Sequence, residues 1–509
     1  MLGSADADLY GEKEIITGRA RDLVRNYPIA SGARRTLVDN VIGSQLKLSS
    51  QPDYRLLKQD KAWAHDWGNN WESEFSTWAN TTECDIARSL NFLGLTRQAV
   101  SGAYVNGDHF AILQWQPRPD ARWSTRLQSV EADRVDTPPY KLGDPAIRNG
   151  VELDDNGAPI AYWIAKRHPG DRFFNIQSIA DQNKWIRVPA FTSWGRRRVI
   201  HLFDKERAGQ TRGKTVFASV MRELKIGWDY LSSELQAAAV NSLIAFFLES
   251  DLSQEEVASV FGANTENSNA GREKSMDARW QEIAERMHKK RIEGGMITSL
   301  PLGAKIHDNN FSRPNTSFDP FMEVITRYIG VGLNMPFELI GKNFSKTNYS
   351  SARAALAEAW RFFMAERTWI EQGWTMPIVE ALMEEAMNAG RIEAPGYYDH
   401  KYAYCKSRFI YSGRGSIDPY KEARAIETRL KNGITTLEKV FAEEGEDWED
   451  MIEQRAREEA LFEELGLTSP YETYAPEAQA VDPLLTDSNG NPLDDNTNAT
   501  GSQGDNANA

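Results

Sequence analysis

The chain has 509 residues, 41% of them hydrophobic, enough to bury a large core spread over two or more domains. Its formal charge of −14 disfavours tight non-specific affinity for a polyphosphate, which is set by the counterions that Lys and Arg displace, and so argues against a DNA-binding regulator. No run approaches the roughly 20 apolar residues of a membrane helix, residues 1–8 lack the parts of a secretory signal, and Cys84 and Cys405, without CxxC spacing, indicate neither a disulfide framework nor a thiolate metal site but a reducing compartment.

In chain order, 15–25 and 31–42 read as two short helices parted by Asn26-Tyr27-Pro28. Arg19, Arg21, Arg25, Arg34 and Arg35 fall on their polar sides, as a solvated face or as a contact for an anionic neighbour. The pattern predicts a helix over 61–93, with Trp63, Trp67, Trp71, Phe75 and Trp78 at steps of four, four, four and three, a stripe that suits a core better than a base-stacking platform. Helix continues over 96–105 until Asn106-Gly107 turns the chain, and 109–115 is a strand. Strands at 151–153 and 160–165 flank Asp154-Asp155-Asn156-Gly157, a hairpin turn, and 198–203 is a further strand, so one mixed domain ends near residue 204.

Residues 214–250 read as a second long helix, apolar all round over 243–248, and 252–303 as an insertion with a basic helix carrying Arg286, Lys289, Lys290 and Arg291. That basic face is either solvated or a dock for an acidic partner. Helix returns at 318–334 and Pro336 stops it. A polar loop follows, in which Lys342, Asn343, Ser345, Lys346, Thr347 and Asn348 read on their own as a solvated loop and otherwise suit weak phosphate contacts, and Thr347, Asn348 or Ser350 caps the next helix. From Ser351 the apolar positions Ala352, Leu356, Ala359, Trp360, Phe363, Ile370 and Trp374 recur at helical spacing, and the period resumes at Ile378, Leu382 and Met383. Pro377 has no N–H for the carbonyl of Gly373, so one helix with a kink at Gly373 and Pro377 is expected, ended by Gly390. Residues 397–410 read as a returning strand, 419–467 as short helices with an acidic block, and 469–509, which holds no Lys or Arg, as a disordered tail.

One stretch imitates a nucleotide site. Ala208-Gly209-Gln210-Thr211-Arg212-Gly213-Lys214-Thr215 follows a strand and opens a helix, as a phosphate-cradling loop does. The alternative it carries is a packaging ATPase using Gly213, Lys214 and Thr215. Against it stand Ala208 in place of the strict Gly and the lack of a later strand ending in a magnesium-binding Asp. The bland reading is a turn capped by Thr215. No His pair has ligand spacing, no GxSxG occurs, Glu384 and Glu385 read as helix-surface residues, and no catalytic group, metal site or cofactor is expected.

The order of these segments, with 332–341 (Gly-Leu-Asn-Met-Pro-Phe-Glu-Leu-Ile-Gly) and 345–353 (Ser-Lys-Thr-Asn-Tyr-Ser-Ser-Ala-Arg), resembles the lambda-like bacteriophage portal proteins, over roughly residues 19–467. The opening 21–28 and 38–43 is similar too. The resemblance implies an α+β portal fold: 1–213 the N-terminal part of a mixed wing, 214–250 a stem helix, 251–304 a small inserted clip, 305–335 a second stem helix and 336–350 a tunnel loop. The kinked helix and returning wing strand would occupy 351–416, an α-helical crown 417–468 and an acidic tail 469–509. It also implies a homo-oligomer, a dodecameric ring at one capsid vertex of the virion, assembled in the host cytoplasm, through which double-stranded DNA is packed and ejected. The terminase large subunit, a head-tail connector or adaptor and the major capsid protein or scaffold are the implied partners, and no membrane is. An acidic wall fits such a conduit, since it leaves no sticky minima for a sliding duplex.

Overall fold

The computed structural model describes residues 3–171, 184–243, 246–248, 297–299, 317–345, 349–415 and 418–471. The chain divides into two compact units, Met1–Glu422 and Ala423–Ala509. The first mixes helices with small sheets, the α+β class expected from the sequence.

In the first unit, α1 (Ala5–Leu9), α2 (Lys13–Asn26) and α3 (Pro28–Val41) precede strand β1 (Leu46–Ser50). Pro28 opens α3 at a position where its missing N–H leaves nothing unsatisfied. α4 runs Lys61–Ala79, with Asp60 Oδ1 accepting from Trp63 N at 2.7 Å as its cap. Trp67, Trp71, Phe75 and Trp78 are buried in the main core, so the aromatic stripe is packing and offers no platform for bases. The expected helix to residue 93 does not form. Asp85 gathers the backbone N–H groups of Ala87, Ser89 and Leu90 at 2.9–3.2 Å, a local network that competes with helix, and Asn91 then caps a new helix, α5 (Phe92–Asn106).

β2 (Asp108–Trp115) is the centre of an antiparallel sheet in the order β3 (Thr125–Val130), β2, β8 (Val199–Phe203). A four-stranded meander follows: β4 (Ile147–Arg148), β5 (Val151–Leu153), β6 (Pro159–Ala165) and β7 (Trp185–Pro189). Its β5–β6 turn lies at 154–157, as the sequence indicates, with Gly157 at φ 80°. Two cores result. The larger joins the N-terminal helices to the long C-terminal helices, and the smaller lies between β2 and the meander around Phe110, Val135 and Tyr162.

α6 is Met221–Leu243, shorter than expected. Its predicted end is not helical: β9 (Phe246–Leu248) pairs in parallel with β10 (Ile297–Ser299), so the apolar run at 246–248 belongs to a small sheet. Helices then occupy Phe318–Gly332, Phe337–Gly341 and Tyr349–Ile370, and after a π turn at Glu371–Thr375 the last of these continues as Met376–Asn388. The expected strand over 397–410 is half helix, Tyr397–Cys405, and half strand, β11 (Ser407–Tyr411). β11 pairs antiparallel with β1, Leu46 opposite Tyr411, and so returns the chain to its beginning. Helix Pro419–Lys431 runs into the second unit, where Leu437–Glu444 packs on Trp448–Glu464, joined through Gly445 at φ 87°.

Candidate functional site

The polar loop, described over residues 342–345, lies in the chain between a helix pair and a long helix, and each of these elements has a local cause. α6 packs on Phe318–Gly332 at Gly227, where an added Cβ would come 3.2 Å from Ile325 Cγ2. Tyr230 stands edge-on to Phe321 at 4.5 Å and stacks on Phe318 at 5.6 Å. On Phe318–Gly332 another stripe, Val324, Tyr328 and Val331 at steps of four and three, is 48%, 66% and 81% exposed. The helix closes with Met335 N donating to Gly330 O at 2.9 Å and Asn334 in the left-handed region at φ 55°. Gly330 is required there, since a Cβ would lie 2.6 Å from Met335 O.

Pro336 begins the short helix Phe337–Gly341, and Lys342 at φ 49° ends it. Asn343 Oδ1 accepts from Ser345 N at 3.0 Å and from Ser345 Oγ at 2.6 Å, an Asx turn that starts the loop. Lys342, Asn343 and Ser345 are exposed. Lys346, Thr347 and Asn348 lie outside the described residues, as do Arg286, Lys289, Lys290 and Arg291, most of the segment 251–304 and all of the tail beyond Tyr471.

After the loop, Ala359, Phe363, Ile370 and Trp374 bury one face of the long helix. Gly373 lies within the π turn and Pro377 in the first turn of the helix beyond it. Met376 N donates to Glu371 O, five residues back, so the wider turn accommodates the proline that cannot serve Gly373. Gly373 has a second reason: an added Cβ would stand 2.9 Å from the buried Leu202 Cδ1 of β8. Arg367 binds the carbonyls of Val41, Asn40 and Ser412 at 2.8–3.1 Å and lies between the rings of Trp360 and Tyr411. Burial there lowers its guanidinium to about 10.

Glu384 and Glu385 are buried, against the expectation of a helix surface. Glu385 accepts from Ser124 N at 2.7 Å and Thr125 N at 2.9 Å, tying the helix to β3. Their charge misled the periodicity; the hydrogen bonds that make burial tolerable come from elsewhere in the chain, 260 and 261 positions away for Glu385 and 190 for Glu384.

The phosphate-loop imitation resolves into a clasp. Thr211 N donates to Asp6 Oδ1 at 2.8 Å and Gly213 N to Asp108 Oδ1 at 2.6 Å, so N–H groups that would cradle a phosphate are already used. Thr215 Oγ1 donates to Tyr104 O at 2.9 Å and caps the turn that follows. Lys214 points away to Glu206 at 2.6 Å. Gly213 meets Gly107 so closely that a Cβ would sit 2.0 Å from Gly107 O.

Asp108, fully buried, is the centre of this clasp. Its oxygens also receive Lys13 Nζ at 2.5 Å, Arg212 Nε at 2.8 Å and His201 Nε2 at 3.1 Å. Burial alone would raise this carboxyl, but Arg212 and Lys13 outweigh it and hold it well below the usual range. Arg212 also serves the carbonyls of Val135, Asn149 and Ala132. His201 stacks between Phe110 and Phe203 at 4.1 and 4.2 Å, and burial lowers it to about 4 despite Asp108. Nothing local in the sequence marks this group, because its members come from positions 13, 108, 201 and 212.

The N-terminal arginines are engaged as well: Arg21 with Asp133 and with Asn106 Oδ1, Arg25 with Asp22, Arg34 with Ser101 Oγ at 3.1 Å. Glu131, Asp133 and His168 come within reach of a shared cation. The donor set does not fit one. His168 Nδ1 accepts from Gly170 N at 2.9 Å, which leaves the ring proton on Nε2, facing Asp133 at 3.0 Å, and Asp133 already holds Arg21. No helix of the described residues is long and apolar enough to cross a membrane.

Comparison with known proteins gives the frame for these parts. The family model described as phage portal protein, lambda family, matches residues 1–367. Portal protein B of Escherichia phage lambda is 27% identical over 479 residues, 92% of this chain and 87% of that protein. The portal protein of Escherichia phage N15 is also 27% identical, with 92% and 88% covered, and the probable portal protein of Halomonas phage phiHAP-1 is 26% identical, with 98% and 89% covered. Among solved structures, a chain of the virion of a native gene transfer agent particle aligns with a TM-score of 0.42 at 10% identity, covering 83% of this chain and 89% of that one. A chain from the neck of the empty particle aligns with a TM-score of 0.42 at 10% identity, covering 86% and 94%. The match that spans most of the sequence, loop and helices included, decides the assignment over the nucleotide-site alternative: the chain belongs to the lambda family of phage portal proteins.

Proposed function

We propose that copies of this portal protein stand side by side as a closed dodecameric ring at one capsid vertex of the virion, and that double-stranded DNA passes through the hole. The observation that carries this reading is the stripe Val324, Tyr328 and Val331. A helix that packs one face on α6 and leaves a second apolar face open needs a further partner, and a neighbouring copy supplies it at every position of a ring. Segments 214–250 and 305–335 then form the stem, 336–350 the tunnel loop, 351–416 the kinked helix with its returning wing strand and 417–468 the crown. Residues 1–213 belong to the wing.

In this reading Lys342 and Lys346, with Asn343, Ser345, Thr347 and Asn348, touch the DNA backbone. A single loop binds weakly, but its repetition around the axis makes a polyvalent contact that grips and releases. The chain's net charge of −14, whose acidic excess lies in the segment 417–468 and the tail beyond it, disfavours sticking of a moving duplex there. The segment 251–304, through Arg286, Lys289, Lys290 and Arg291, docks the terminase large subunit during packaging and the head-tail connector afterwards, while the wing meets the major capsid protein or scaffold. The protein contributes geometry and charge, and a separate terminase hydrolyses ATP in the host cytoplasm.

The test replaces both loop lysines. Particles carrying Lys342→Ala and Lys346→Ala are expected to assemble with normal portal content and to package or retain less DNA, read as the DNA-to-protein ratio of purified heads. Heads that fill and hold DNA normally would remove the loop from the mechanism.

A further inference from the structure

We propose that the cleft between the 191–197 hairpin tip and the end of helix Met376–Asn388 is a docking site for an acidic segment of a partner protein, carboxylates interleaved with apolar side chains. It does not rest on the channel reading. The cleft encloses about 690 Å³ between β2, the hairpin and the helix, and its rim carries Trp115 and Trp194, 59% and 64% exposed. Large indoles left open at one place on a surface are the kind of anchor that interfaces use.

The anchors are held in position. Thr192 N donates to Arg196 O at 2.8 Å, Arg196 N to Thr192 Oγ1 at 3.0 Å, and Gly195 at φ 89° closes the tip. Trp194 Nε1 donates to Glu384 Oε1 at 3.0 Å, so the ring is pinned by its polar edge while its surface stays open. A side chain fixed before binding loses little entropy on binding.

The charge of the cleft selects the partner. Glu384 on its floor is occupied by Trp194, by Tyr398 at 3.4 Å and by Arg196 at 3.7 Å, and Glu385 by two backbone N–H groups. Arg197 lies over the Phe191 ring at 5.0 Å, and neither it nor Arg198 has a carboxylate at ion-pair distance among the described residues. Two exposed guanidiniums without carboxylates, beside two apolar anchors, match carboxylates that alternate with apolar groups. A phosphate chain also pairs with guanidinium. A long polyanion, however, needs basic groups beyond this patch, whereas the cleft itself offers only Arg196, Arg197 and Arg198 with Glu384 and Glu385 behind them, which suits a short acidic segment.

The experiment uses the full-length assembled protein and a fluorescein-labelled short peptide of alternating Glu and Leu, followed by anisotropy. A Lys and Leu peptide and an oligothymidylate of the same length serve as probes of the other chemistries. The acidic peptide is expected to bind saturably and more weakly as salt rises. Trp194→Ala, and separately Arg197→Glu with Arg198→Glu, should weaken it about tenfold or more without changing assembly. Should the arginine variant disturb the hairpin, Trp115→Ala tests the same anchor pair from β2. The proposal is overturned if the acidic peptide fails to bind the assembled protein, which means a neighbouring copy covers the cleft, or if the oligothymidylate or basic peptide binds as well. It is also overturned if none of these variants changes the affinity.

Discussion

Asp108 joins α2, β2, β8 and the 204–215 loop through four partners, so disturbing it is expected to destabilise the N-terminal half. Removing one side of a buried, hydrogen-bonded charge group leaves the other charges without compensation, at about 3–5 kcal/mol. Asp108→Asn is therefore expected to lower the denaturation midpoint strongly. Lys214→Ala removes only a pair with both side chains 45% exposed and should change it little. Equal effects would mean that the clasp is not the organising contact. The same region sets the response to acid. Burial keeps His109 and His201 neutral in the folded chain, each lowered from 6.5 to about 4. Between those values the unfolded chain takes up protons that the folded chain refuses, so stability is full above pH 6.5 and falls towards pH 4. Each histidine adds a slope of about 1.4 kcal/mol per pH unit. Melting temperatures measured from pH 8 to pH 4.5 should be level at first and then fall, and a profile flat down to pH 4.5 would contradict the buried neutral state. None of this was legible in the sequence. The Gly-Lys-Thr turn reads alike whether its N–H groups face a phosphate or two aspartates, and the deciding carboxylates come from positions 6 and 108.

At the scale of elements, periodicity and turn chemistry located most helices and the 154–157 hairpin, because their signals are local. It failed where distant groups intervene. Asp85 breaks the helix expected to residue 93, parallel pairing takes 246–248 out of α6, and β1 captures only the second half of 397–410. The residues on which an interruption of the long helix was expected, Gly373 and Pro377, occupy a π turn and the turn after it, and Leu202 adds a packing reason for Gly373 that the sequence did not disclose. The closing turn before the polar loop gives a sharp test. Gly330→Ala places a methyl 2.6 Å from a backbone oxygen, which the turn cannot yield without moving Met335. A loss of about 1–3 kcal/mol is expected from overpacking. Thermal denaturation checks it, and an unchanged or higher midpoint would mean that the turn is not as closely packed as described.

For the whole molecule, the family places the chain among proteins whose role rests on geometry, and the physics of the single chain agrees in what it leaves open. A helix with Val331 at 81% exposure beside Tyr328 at 66% is poorly designed for solitary life. The sequence carried that stripe openly but could not say which of its apolar positions α6 would cover, since the pairing depends on Gly227 and Tyr230 across a gap in sequence of about ninety residues. Native mass spectrometry of the purified chain distinguishes a ring of copies from a single chain. A dominant species near twelve times 57.5 kDa is expected. A protein that stays at 57.5 kDa at the highest concentration reached would contradict the ring.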